Sequence, residues 1–419
     1  MLRIALILAS LIGLAAVSVP SNAVDAPRCA PHESWDYAMA MCMPENDAGS
    51  ESVALSAQFN AFGMFAIAQG PRGVDAWAAP NMVMVDLGQS VGASHFLNLE
   101  LMGTTELWTY PRHGYPELLQ IGEERSDGTP YVDAQHPHSS PIMGLTLSDS
   151  FTIGQSGTLK VFFAPRGEST DGPVAFMHRD SARDNPDAPL GHHVGQDVGH
   201  ISSTVIGAQL ALGRLSVEGS VFNGTEPSPT ILKMTVGALN SQAIRFTYAL
   251  TPEHRTMVSW AHVQQYDPQY PGTESATRLS ASLYDRFSAG ELDTVDHSLI
   301  VGSISRHPGG SSLTSFLDET VMTRGKSDLW ARIEILQRLA SELGLMVPEQ
   351  RSMDPSRWVS AFTLGYTHWS TRAGPVQVGI GSSITIDALP RVWAAPYGGQ
   401  TPWTFRLMVQ IRGFRGSHQ

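Results

Sequence analysis

The sequence predicts an all-β protein: a transmembrane antiparallel up-and-down β-barrel of about 16 strands, with long extracellular loops and short periplasmic turns. Three observations carry that expectation. A leader-like start is followed by no further apolar run of helix-spanning length. Short segments alternate apolar and polar residues. The connections between them alternate long and short.

The chain opens on Met1-Leu2-Arg3, an apolar run from Ile4 to Val17, and Pro20-Ser21-Asn22-Ala23. A positive start, a short apolar core and small residues at a cut site make a secretory signal peptide over residues 1–23. A membrane-bound product must then cross with strands, each needing only about 9–11 residues. Net charge is −12, and the only lysines are Lys160, Lys233 and Lys326. With no basic cluster, nucleic acid is excluded as a partner. The 39 glycines and 27 prolines favour a turn-rich chain.

Residues 24–50 read as a periplasmic tail and linker, and residues 51–414 as the barrel. The alternating segments are 53–66, 81–89, 94–106, 143–153, 157–165, 201–212, 214–223, 241–250, 256–266, 275–285, 290–303, 315–324, 327–338, 357–370, 374–386 and 401–414. In the third, Leu97, Leu99 and Leu101 oppose Asn98, Glu100, Thr104 and Glu106. In the sixth and seventh, Ile206, Ala208, Leu210 and Leu212 share one face, and Arg214, Ser216 and Glu218 the other. In the thirteenth, Leu329, Ala331, Ile333 and Ile335 oppose Asp328, Arg332 and Glu334. In a barrel the apolar face meets lipid and the charged face a watery lumen. The last segment alternates Phe405, Leu407, Val409 and Ile411 against Arg406, Met408, Gln410 and Arg412. Its aromatic Phe414 resembles a closing outer-membrane strand, with residues 415–419 left as a C-terminal extension.

Long connections span 107–142, 166–200, 224–240, 339–356 and 387–400. Counting up and down from a periplasmic N-terminus puts every one of them outside. Trp108, Tyr110, Trp260, Tyr366, Trp369, Trp393 and Trp403 fall near strand ends, where interfacial aromatic girdles lie. A secreted β-sandwich would not need the long and short alternation, and a propeller would show a repeat of about 40–50 residues, which is absent.

Metal-ligand chemistry concentrates in two places. The tail gathers Cys29, His32, Met39, Met41, Cys42 and Met43, a soft set suited to copper ions. An alternative for Cys29 and Cys42 is a disulfide, since the periplasm is oxidising. The long loops carry His136, His138, His178, His192, His193 and His200. Four of these lie in Phe176–His200, a polar stretch expected outward of the membrane. Imidazoles there can ligate Cu(II), Ni(II) or Zn(II), or cap an internally hydrogen-bonded loop. Adjacent His192 and His193 would point opposite ways in an extended chain. Glu100, Glu106, Arg214, Glu218, Asp328, Arg332 and Glu334 are expected on the lumen, and loops of about 35 residues are long enough to constrict it. No His-Glu-x-x-His occurs, no catalytic residue is assigned and no enzyme is expected.

Tyr131–His138, Phe176–His200, Val221–Pro227 and the Cys/His/Met-rich mature N-terminus resemble a family of bacterial outer-membrane β-barrels associated with copper and heavy-metal resistance. The resemblance implies a barrel in the bacterial outer membrane and, more loosely, metal handling. The expected function is a porin-like channel, or a binding protein for a small solute or metal ion with copper favoured. A non-transporting surface structural or recognition barrel is the alternative. The partners implied are outer-membrane lipid and a small solute or metal ion. A copper ion is the cofactor candidate, and an oligomer is compatible with the plan.

Overall fold

The computed structural model describes residues 33–36, 41–44, 53–92, 94–125, 127–138, 141–154, 157–229, 232–264, 273–288, 293–345 and 356–418. Sixteen long strands close into one antiparallel barrel. In chain order they are β1 Val53–Ala68, β2 Asn81–Val91, β3 His95–Gly103, β4 Ile142–Ile153, β5 Gly157–Gly167, β6 Ser202–Leu212, β7 Leu215–Asn223 and β8 Ser241–Ala249. The second half comprises β9 His254–Gln264, β10 Ser275–Ser288, β11 Asp293–His307, β12 Ser312–Arg324, β13 Ser327–Leu339, β14 Ser356–Trp369, β15 Val376–Ala388 and β16 Trp403–His418. Each long strand pairs with its sequence neighbours, and β16 closes on β1 from Thr404↔Ala68 to His418↔Ala54. The sixteen alternating segments of the sequence are these sixteen strands. The last strand runs past Phe414, because Arg415–His418 continue the ladder against Ala54–Ala57. A three-residue strand, Ala76–Ala78, adds to the outer end of β1. A short hairpin, Glu33–Asp36 with Met41–Pro44, occurs where the sequence shows only a tail.

The two faces separate as strand alternation requires. Leu97, Leu99, Leu101, Ile206, Leu210, Leu329, Phe405, Leu407 and Val409 are all exposed on the outer wall. Asp328, Arg332, Glu334, Arg406 and Gln410 are buried on the inner one. An apolar band outside polar-lined strands is the signature of a barrel in lipid. No described helix is long and apolar enough to cross a membrane, so crossing is by strands. Trp108, Trp260 and Tyr366 are exposed, as a girdle requires. Tyr110, Trp369 and Trp393 are instead buried. Trp369 turns inward because its indole donates to Asp328 at 2.8 Å and Arg412 stacks 3.6 Å over its ring.

The long connections do gather at one end, but two of them do not stay outside. The third loop, residues 168–201, folds down into the lumen. Its backbone is tied around the wall: Thr170 N donates to Ser220 Oγ at 3.0 Å, Gly172 N to Ser259 Oγ at 2.8 Å, and Leu190 N to Glu334 Oε1 at 2.6 Å. Its charges meet wall charges: Arg278 with Asp171 at 2.8 Å, Arg179 with Glu319 at 2.5 Å, and Arg406 with Asp187 at 3.0 Å. Desolvated arginine–carboxylate pairs of this kind fix geometry rather than add much net stability. Gly195 (φ +80°) lies backbone-to-backbone on Gly302 of β11, where a Cβ on Gly302 would meet Val194 O at 2.3 Å.

The second loop, residues 104–141, caps this insert. It carries a hairpin, Tyr115–Glu124 with Pro130–Gln135. Leu118, Leu119 and Ile121 pack with Leu190 of the third loop against Leu336, Val359 and Trp393. The Phe176–His200 stretch expected outward of the membrane is therefore inside the barrel. A cavity of about 640 Å³ remains on the opposite side of the insert, and its lining reaches the short turns at Gly325 and Arg372.

Candidate metal centre

Two loops bring five imidazoles together inside the outer half of the barrel. His136 and His138 follow the strand Pro130–Gln135 and are separated by Pro137. A residue before proline is held extended, and extended residues two apart project the same way. Their ring centroids are 6.0 Å apart. The third loop supplies His192, His193 and His200. His192 and His193 do not point opposite ways, because His192–Gln196 is a kinked turn, with Gly195 at φ +80°, rather than an extended segment. Their rings lie 4.5 Å apart at 83°, and both face His136, at 6.0 and 6.2 Å. His200 completes the group, 4.5 Å from His192 and 5.1 Å from His138.

The ligand atoms converge. One nitrogen each of His136, His192 and His193 lies within 4.8 Å of the others. So do ligand atoms of His192, His200 and Glu226, and of Glu123, His193 and Glu226. Glu226 enters from the fourth loop, residues 224–240, with its carboxylate 3.9 Å from His136 Nε2.

Three of the rings are oriented through the other nitrogen. His138 Nδ1 sits 2.6 Å from Glu106 Oε2, His200 Nδ1 2.7 Å from Asp197 O, and His136 Nδ1 3.2 Å from Pro137 O. Each contact leaves Nε2 directed elsewhere. An oxygen on one ring nitrogen, fixing tautomer and orientation, is the arrangement that metal-bound histidines show. The Nε2 atoms of His192, His193 and His200 are buried without a hydrogen-bond partner among the described residues. Buried polar atoms are normally paired, so three orphans in one cluster of rings ask for a ligand.

Charge states suit this role. Burial, reinforced by His138 and His192, lowers His136 to about 3. Burial together with His138 lowers His192 likewise to about 3. His193 and His200 are pushed well below the ordinary range, first by burial and then by His192. Neutral imidazole is the form that binds metal. Burial alone would also lower His138 and raise Glu106, but their contact reverses both: the imidazole is held above its usual value and the carboxyl below.

Other residues singled out in the sequence lie elsewhere. His178 is in the third loop but stands apart, 3.2 Å from Glu168. Cys29, His32 and Met39 lie outside the described residues. Met41, Cys42 and Met43 fall on a paired strand, with side chains likewise outside the description. Of the expected lumen residues, Glu218 pairs with Arg245 at 2.6 Å, Arg332 with Glu319 at 3.1 Å, and Glu334 accepts from the third loop. Asp328 accepts from Trp369, and Glu100 stands opposite Asp86. Arg214 is in the exposed turn between β6 and β7, and Glu106 sits in a short helix of the second loop, Glu106–Thr109. Glu123 was not foreseen as part of a site, and no local pattern marks it. Glu226 could have been found, since it falls within Val221–Pro227.

The barrel superposes on solved bacterial outer-membrane structures. An anion-selective porin from Comamonas acidovorans matches with a TM-score of 0.53 at 11% identity, over 87% of this chain and 99% of that one. The fold is that of an outer-membrane porin. Pseudomonas putida OprB, solved at high pH, matches at 0.51 and 10% identity, over 87% and 94% of the two chains. Salmonella typhi OmpF in complex with daunomycin matches at 0.50 and 7%, over 85% and 97%. Identities this low describe architecture alone. No family model matches the sequence, and no curated protein matches it. In this porin-type barrel the imidazole centre is assembled from inserted loops rather than from the wall.

Proposed function

We propose that this porin-type barrel is a metal-binding protein of the bacterial outer membrane, and that its inserted loops hold a divalent transition-metal ion. The observation that supports the reading is the convergence of ligand nitrogens of His136, His192 and His193, all three buried, with the Nε2 atoms of His192, His193 and His200 lacking partners among the described residues. Imidazole with carboxylate suits Cu(II), Ni(II) or Zn(II), and copper binds most tightly of the three at equal geometry. The favoured ion is therefore Cu(II). His136, His192 and His193 form one ligand group, with His200, Glu226 and Glu123 adjoining and His138 held by Glu106.

A freely open diffusion channel fits the interior less well. The third loop crosses the lumen, and its residues are almost all buried. The test is calorimetric titration of detergent-solubilised protein with Cu(II) and Zn(II), in a Cys29→Ser/Cys42→Ser/His32→Ala background that weakens the tail set. His136→Ala/His192→Ala/His193→Ala is expected to abolish one binding event of sub-micromolar affinity. Unchanged stoichiometry and affinity in that variant would remove the centre from the account.

A further inference from the structure

Five methionines meet inside the barrel, away from the imidazoles. Met82 and Met84 project inward from β2, Met102 from β3 and Met143 from β4, and all four are buried in one cluster with Ile201. Met177 of the third loop packs against it. Met84 and Met102 are direct cross-strand partners. Gln58, opposite Met84 on β1, points its amide at the thioether sulfur, 3.9 Å away.

Methionine is a common gap-filler, and a packed core accounts for one or two of them. Other apolar clusters face the lumen, one of them with Met64 and Met408, but this one gathers five methionines, and three further features accompany them. One inward step along the same two strands, Asp86 and Glu100 stand directly opposite each other. Like charges opposed on a sheet repel and together favour a cation nearby, a part that Lys160 already takes for both carboxylates. Glu168 and His178 adjoin this pair, 3.2 Å apart. Met82, Met177 and His178 also line the cavity of about 640 Å³ that reaches the turn end. Finally, Ile201 in the cluster is the residue after His200 of the imidazole centre. The thioethers thus lie between the vestibule and that centre.

We propose that Met82, Met84, Met102, Met143 and Met177 form a second metal site, selective for a soft monovalent cation, Cu(I) or Ag(I), and reached from the vestibule. Thioether sulfur prefers such ions and binds divalent hard or borderline ions poorly. Asp86, Glu100 and Glu168 outnumber Lys160 and His178 beside them, and none of these groups competes as a soft ligand. The site extends the metal-handling reading above, yet the two stand or fall separately, because their ligand types differ.

Ag(I) and reduced Cu(I), each titrated against a chromophoric chelator, provide the probes. The full chain in the Cys29→Ser/Cys42→Ser background is compared with the same chain carrying Met84→Leu/Met102→Leu/Met143→Leu. Leucine nearly conserves volume, so the core stays filled. The expected result is loss of one bound Ag(I) or Cu(I) per chain, with Zn(II) binding at the imidazoles unchanged. The Cu(I) absorption edge should likewise lose sulfur scattering. Equal Ag(I) stoichiometry and affinity in both proteins overturns the proposal. If Ag(I) is lost with the methionines while the wild type binds no divalent ion at the histidines, the earlier reading falls and this one stands. Should the triple variant fail to close as a barrel by heat-modifiable migration, Met84→Leu alone decides. It is expected to weaken Ag(I) about tenfold, roughly 1.4 kcal/mol, and no weakening counts against the site.

Discussion

At the scale of single residues, the interior is organised by pairs in which one member positions the other. Glu106 is the clearest. It accepts from His138 Nδ1 at 2.6 Å and from the His138 backbone N–H at 2.9 Å, fixing both ring and chain. Glu106→Gln keeps the shape but removes the charge that holds His138. It is expected to lower Cu(II) affinity by about 10–100-fold, read by calorimetry, with the far-UV spectrum of the barrel unchanged. Equal affinity would show that His138 takes no part. The histidines themselves were legible in the sequence, because no packed strand is written as Phe176–His200. Their convergence was not. It depends on Glu106, Glu226 and the His192–Gln196 turn, and the groups so formed join residues up to 103 positions apart in the chain, from 123 to 226. The rule that neighbouring histidines diverge failed for the same reason: it assumed an extended chain where a kinked turn forms.

At the scale of elements, strands and loops differ in what local sequence can specify. A strand between lipid and lumen must alternate, so Leu97, Leu99 and Leu101 or Phe405, Leu407 and Val409 declare both its presence and its outward face. A loop has no such constraint. Length showed that the third loop was able to reach inward, but direction is set by distant partners. Arg179 meets Glu319 of β12, Asp187 meets Arg406 of β16, and Leu190 meets Glu334 of β13. None of these pairings leaves a local trace. The seat at Gly302 tests the insertion most cleanly. A side chain there would strike Val194 O at 2.3 Å, so Gly302→Val should displace the loop at a cost of about 1–3 kcal/mol. The expected outcome is a barrel that still shows heat-modifiable migration but conducts more and binds Cu(II) more weakly. A variant identical to wild type in both respects would show that the loop does not rest on that strand.

At the scale of the whole molecule, a porin-type wall has been given an interior that a simple porin would leave to water. Barrels of 16 strands are wide enough for an aqueous channel. Here the second and third loops fill the outer half, and a vestibule near the turns stays open. In planar bilayers the wild type is expected to show small or no single-channel conductance, and deletion of residues 173–198 to raise it severalfold. A wild type conducting like the deletion variant would mean that the insert leaves a continuous path. On the proposed reading, the imidazole centre and the methionine cluster, joined in the chain at His200 and Ile201, would hold metal ions inside the wall. The most direct test is an anomalous-difference map from crystals soaked in Cu(II) and measured at the copper edge. The account predicts a peak about 2.0–2.1 Å from imidazole nitrogens of His136, His192 and His193. A map with no peak among those rings, and density only at the N-terminal tail, would contradict it.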